Sequence, residues 1–219
     1  LKSLIVKRVR KKMKNYMEEL YPFFNPSCDG GAQGVYLKEL GSKEVQRGIC
    51  LHLVLAWFHL YKKDSSKLPN VIWQEMKSPG LIKQIANNHR AYIQAFSKIQ
   101  NGNTPNFTLI EENVSAYMNI NVMQERETVQ YHELETKVIE HLNLSNMQLL
   151  GVRMTKDNVH AGHALGLIKH SDGFFYLFDP NVGVLKTDAA NLGNLLNAIY
   201  RYYGRCNWEL NVVNIYNIV

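Results

Sequence analysis

Cys50, His163 and Asp179 are side chains of the types that carry out nucleophilic acyl chemistry. A thiolate attacks a carbonyl, an imidazole carries the proton, and a carboxylate holds the imidazole in the orientation that the transfer needs. Cys50 stands near the start of "GICLHLVLAWFHLYKK", residues 48–63, which is apolar on nearly every side from Ile49 to Tyr61. A helix hydrophobic all round belongs in the middle of a domain, and this one would run about 20 Å. Gly48 marks its start, and Lys62 and Lys63 suit its C-terminal end. In the first turn of such a helix the unpaired amide N–H groups and the dipole favour a thiolate, and a histidine beside it favours it more.

His163 opens and Asp179 nearly closes "HALGLIKHSDGFFYLFDPNVG", residues 163–183, in which two strand-like runs flank a turn. The register of that hairpin decides whether the two can meet. If Ser171-Asp172-Gly173 is a three-residue loop with Gly173 left-handed, His170 pairs with Phe174. His163 and Asp179 are then diagonal neighbours on one face, with Cβ atoms roughly 7–8 Å apart, within reach of a hydrogen bond. If Asp172-Gly173 alone makes the turn, they point to opposite faces. The sequence permits both registers, and the chemistry requires the first.

Each of these residues also has an ordinary structural reading. A cysteine in an apolar run is most often core, a histidine on a strand can be a satisfied sheet residue, and Asp179 before Pro180 and Asn181 is a turn former. Of the other cysteines, Cys206 before the last strand reads as core and Cys28 lies on a loop with no histidine near it in sequence. Three cysteines without a CxxC spacing argue against a disulfide framework or a cysteine-rich zinc site, and a reducing compartment is the simpler expectation. His160, His163, His170 and Asp172 lack any helical ligand spacing such as HExxH, so neither a metal nor any other cofactor is expected.

The elements that must position this chemistry read as α+β. Helical patterns dominate the first two-thirds, "GLIKQIANNHRAYIQAFSKI" most clearly and "TVQYHELETKVIEHLN" as another. "MQLLGVRM", "HALGLIKH", "FFYLFDP" and "WELNVVNIYNIV" then read as strands of an antiparallel sheet, with a helix near 187–203 before the last. The 219 residues, 46% of them apolar, suffice for one well-buried domain. No run of about eighteen apolar residues is present to span a membrane, and no secretory signal pattern opens the chain. Its first residue is a leucine, which suits a fragment of a larger protein.

Net charge is +6, but residues 1–14 hold seven basic groups and no acidic one, leaving 18 basic and 19 acidic groups in the body. Residues 1–24 fit an amphipathic basic helix, either docked on the body with a solvated basic face or touching an anionic membrane. Residues 25–219 then form the main domain, opened by the Gly-rich "NPSCDGGAQGV", which lacks the Gly-Lys-Ser/Thr of a phosphate loop. With no basic, aromatic-interleaved stripe beyond residue 14, nucleic acid is not an expected partner.

"RGICLHLVLAWF", "HALGL" and "YLFDPNVG" together resemble the three catalytic segments of the YopT/AvrPphB cysteine peptidases, papain-like virulence proteins of bacteria. The resemblance runs over roughly residues 45–185. It implies a papain-like fold, a helical N-terminal part with a buried central helix packed on a C-terminal antiparallel sheet. It also implies a Cys50 nucleophile, a His163 base and then acid, an Asp179 orienter, and a thioester acyl-enzyme. Oxyanion donors would be the Cys50 backbone N–H and Gln46, whose spacing of four residues is one or two shorter than the papain-like pattern. The implied function is that of a thiol endopeptidase from a secreted or translocated effector or toxin, working in the host cytosol, at a membrane surface in some members. Its substrate would be a host protein; some members cut lipidated Rho-family GTPases and others kinases. Related toxin domains use the same order of residues to attach fatty acyl chains to lysines near GTPase tails, which is the alternative activity. Deamidation or transglutamination by the same residues is a third.

Overall fold

The computed structural model describes residues 18–23, 36, 39, 41, 49–97 and 122–219. Gly173 has φ +84°, the left-handed geometry that a three-residue hairpin loop asks of its last member. The His170 amide donates to the Phe174 carbonyl at 3.0 Å and the Gly173 amide to the His170 carbonyl at 3.0 Å. Asp172 pins the loop from within. Its carboxylate accepts from the Phe174 amide at 3.0 Å, the Tyr176 hydroxyl at 2.8 Å and Lys186 at 3.2 Å. Strand β3, Val159–Lys169, therefore pairs with β4, Phe175–Asp179, through Lys169↔Phe175 to Gly166↔Phe178. This is the register that puts His163 and Asp179 on one face.

Around this hairpin β1 (Val122–Gln130), β2 (Met147–Lys156), β5 (Gly183–Thr187) and β6 (Glu209–Ile218) complete an antiparallel sheet, in the order β1-β6-β2-β3-β4-β5. The final strand is thus inserted between β1 and β2. On one face lie α1 (Ile49–Lys63), α2 (Pro69–Met76) and α3 (Pro79–Ser97); on the other lie α4 (Leu134–His141) and α5 (Leu192–Arg205). Helices at the N-terminal end and an antiparallel sheet at the C-terminal end make the fold α+β, as the sequence order implies. Among the described residues, no helix is long and apolar enough to cross a membrane.

Two boundaries differ from expectation. Thr128–Gln130, read as the start of a helix, belong to β1, and the helix there begins at Leu134 after a single 3-10 turn. The mixed-charge run Glu125-Arg126-Glu127 hides a strand because, among the described residues, β1 is the sheet's edge and pairs with β6 alone. Short β5 is the second unanticipated strand. At the other end of the chain, residues 18–23 form a 3-10 turn containing Pro22, whose Leu20 is fully buried in the cluster beneath α5. The basic stretch 1–17, most of the expected N-terminal helix, lies outside the described residues.

The α1 helix is buried on nearly every side, from Ile49 to Phe58 and again at Tyr61. Full burial of each large apolar side chain contributes roughly 1.5–3 kcal/mol, so α1 anchors its layer. The Trp57 indole donates to the Pro69 carbonyl at 2.8 Å and joins α1 to the start of α2. Contact with the sheet is closest at Gly166. A Cβ there would lie 2.9 Å from Val54 Cγ1 and 3.1 Å from both Phe58 Cζ and Trp57 Cε3. Gly166→Val is expected to push α1 off β3 and to cost about 1–3 kcal/mol in denaturant unfolding, as overpacking does, with a parallel loss of Cys50 reactivity toward alkylating reagents.

Candidate active site

Cys50 is the second residue of α1, in its first turn, and belongs to the cluster between the helical layer and the sheet. His163 lies on β3 beyond the last β3–β4 pair, opposite Val152 of β2. Asp179 ends β4, where the chain turns through Pro180, Asn181 and Val182 into β5. The three come together at the point where the β3–β4 ladder stops, with Cys50 reaching His163 from the α1 layer.

The His163 Nε2 is 2.9 Å from Asp179 Oδ1, and the Cys50 side chain is hydrogen-bonded to the same imidazole. Since Nε2 is engaged by the carboxylate, Nδ1 is the nitrogen left for the sulfur. Asp179 Oδ1 also accepts from the Asn181 amide at 2.8 Å, and the Val182 amide donates to the Asp179 carbonyl at 2.9 Å. The Asp-Pro-Asn segment therefore closes its own turn on the carboxylate that it presents. Cys50, His163 and Asp179 are 9%, 6% and 0% exposed.

Burial by itself would push the His163 imidazole down. The charge and hydrogen bond of Asp179, and then the Cys50 sulfur, outweigh it, and His163 is pushed up to about 10. The arrangement thus favours an imidazolium beside a cysteine.

Tyr203, which sequence reasoning did not single out, completes the cluster. Its hydroxyl lies 2.9 Å from His163 Nε2 and donates to Asp179 Oδ2 at 2.9 Å, while the Asn181 side-chain amide donates to it at 3.0 Å. A signal was present in the α5 pattern. Leu192, Leu195, Leu196, Ile199, Tyr202 and Tyr203 follow the spacing of one apolar stripe, and a phenol on a buried stripe needs a polar partner. Gln46 and Cys28 lie outside the described residues. Cys206 is half-buried against the α5 cluster, and burial pushes its thiol up. His160 stands by the Thr155 hydroxyl and His170 by Asp172, away from the cluster around Cys50.

The model of the family Peptidase_C58, Yersinia/Haemophilus virulence surface antigen, matches residues 10–217. The chain belongs to this family. Among solved structures, the Pseudomonas avirulence protein AvrPphB is similar at a TM-score of 0.59 and 20% identity, over 78% of this chain and 92% of that one. PatoxP, a cysteine protease-like domain of the Photorhabdus asymbiotica toxin PaTox, has a TM-score of 0.45 at 13% identity, over 93% of this chain and 58% of that one. No curated protein sequence matches. The Peptidase_C58 chain described here therefore has the α+β, papain-like arrangement shared with AvrPphB, and its family is one of cysteine-protease-type virulence proteins.

The raised value of His163 has a definite sign. Its contribution to stability is complete below the ordinary histidine range near 6.5 and is lost as pH rises through about 10. In NMR of histidine-labelled protein, His163 is expected to stay imidazolium through neutral pH and to neutralise near 10. Asp179→Asn, which removes the charge but not the shape, is expected to bring that transition down toward neutrality. An unchanged transition would mean that Asp179 does not hold the proton on His163.

Proposed function

We propose that Cys50, His163 and Asp179 form the catalytic triad of a thiol endopeptidase, which a bacterial effector or toxin directs at a host protein inside the host cell. One observation carries this: an imidazole bonded through Nε2 to a buried carboxylate, with a cysteine from the start of a buried helix beside the same ring. In this mechanism the Cys50 sulfur forms a bond to the substrate carbonyl carbon. The C–N bond then breaks as His163 passes its proton to the leaving amine, which leaves a thioester. Water, its proton taken by His163, adds to the acyl carbon and releases the acid and the free cysteine. The backbone N–H of Cys50, and Gln46 as a second donor, would stabilise the oxyanion.

If Cys50 instead attacked the thioester of an acyl-CoA, the CoA thiol would leave and the fatty-acyl thioester passed to a lysine amine would make the protein a lysine fatty-acyltransferase, so the deciding experiment must read both products. Lipid-modified Rho-family GTPases and host lysate are incubated with the protein and acyl-CoA, beside a Cys50→Ala copy, and analysed by mass spectrometry. A new peptide terminus that needs Cys50 is the expected result. A lysine heavier by a fatty acyl group would keep the triad and replace hydrolysis by transfer. Products that persist in Cys50→Ala would overturn the triad. Asp179→Ala is expected to slow turnover by about two to four orders of magnitude, in the range found for triad orienters.

Membrane contact by residues 1–14 belongs to the same proposal, because seven basic groups without an acid there suit an anionic surface. Deletion of residues 1–14 is expected to abolish binding to vesicles containing phosphatidylserine in sedimentation assays. Binding that survives the deletion would assign those charges to solvent.

A further inference from the structure

We infer that Tyr203 is a positioning residue of this site: its hydroxyl holds the Asp179 carboxylate and the His163 ring in the one mutual orientation that leaves Nδ1 facing Cys50. The inference rests on the triad reading above and adds to it a fourth side chain, supplied by α5. Asp179 is fully buried, and its two oxygens are served unequally. Oδ1 accepts from the Asn181 amide and from His163, whereas the partner of Oδ2 among the described residues is the Tyr203 hydroxyl at 2.9 Å. Without that hydroxyl, a buried carboxylate oxygen would lack a donor, which costs far more than an average hydrogen bond contributes. The carboxylate would then rotate or admit water, and the imidazole plane would follow it.

The phenol does this as a fixed donor. Tyr203 is buried, and burial followed by the Asp179 charge pushes its hydroxyl well above the ordinary tyrosine value. It therefore keeps its proton across the working pH range and directs it at Oδ2. Its oxygen accepts from the Asn181 side-chain amide at 3.0 Å and shares the His163 Nε2–H, 2.9 Å away, with Oδ1. The ring lies 5.5 Å from the His163 ring at an interplanar angle of 55° and covers that side of it. A phenylalanine would fill the same space, so the hydroxyl, not the ring, is what the inference concerns.

The test is the pH profile of iodoacetamide alkylation at Cys50, followed by peptide mass in the full chain, with half-buried Cys206 as the internal comparison. Because His163 stays imidazolium up to about 10, its contribution to the Cys50 alkylation rate is expected to hold from roughly pH 6 to 9. In Tyr203→Phe the rate at pH 6 is expected to fall about tenfold and to recover by pH 9, the scale on which lost orienting partners act. A wild-type profile in folded Tyr203→Phe, with or without a lower Tm, would make Tyr203 a packing residue and overturn the inference. His163→Ala separates the two readings: a flat profile in that variant would overturn the triad itself. If Tyr203→Phe does not fold, Asn181→Ala decides, because it unseats the phenol oxygen without emptying the core. A smaller shift in the same direction supports the inference, and an unshifted profile overturns it.

Discussion

A histidine held positive in a dry interior is the constraint on which the rest of this structure depends. Burial acts against the imidazolium, so a carboxylate must stand beside it, and that carboxylate must in turn be held and solvated by protein donors. The chain meets this demand from three elements. The Asp-Pro-Asn turn donates its own amide to Asp179, β3 brings the imidazole, and α5 brings the Tyr203 hydroxyl. Cys50 enters from the opposite layer. The sheet is thus a partition, and Cys50, His163, Asp179 and Tyr203 meet where the β3–β4 ladder ends.

Two glycines make the meeting geometrically possible, for different reasons. Gly173 supplies the left-handed turn that sets the β3–β4 register, and a slip of one residue would turn Asp179 to the other face. Gly166 supplies absence of volume. It lets Val54, Trp57 and Phe58 of α1 rest on the β3 backbone, which fixes how near the first turn of α1 comes to His163. Both lie within the "HALGLIKHSDG" stretch, so one short segment carries the imidazole, the seat of α1 and the turn that delivers the carboxylate.

Much of this was legible in the sequence because the determining interactions are local or periodic. The all-round apolar run named α1, the Ser-Asp-Gly loop offered the productive register, and the order of helices before strands gave α+β. The productive register could not be chosen by turn chemistry alone, since Asp-Gly also suits a two-residue turn. What selects it lies beyond the turn itself: Asp172 is held by Tyr176 on β4 and, from farther along the chain, by Lys186 on β5. β1 was missed because an edge strand tolerates charge, and Tyr203 because its role depends on a helix some 24 residues beyond Asp179 in sequence folding back over the sheet. A tyrosine in an amphipathic helix announces burial, not the identity of its partner.

In the proposed mechanism the resting charge arrangement also times the proton transfer. The Cys50 sulfur is itself among the causes that hold His163 high. When the sulfur becomes part of a thioester it no longer takes part in that hydrogen bond, so this support is withdrawn at the step where the leaving amine needs a proton. The imidazolium becomes a stronger acid only after attack has begun. Asp179 and Tyr203 stay in place throughout, so the neutral imidazole left behind keeps its orientation and can take a proton from the next nucleophile, water or amine. The buried groups therefore fix the chemistry up to and including the thioester, and the choice between hydrolysis and transfer falls to whatever molecule can reach the acyl carbon.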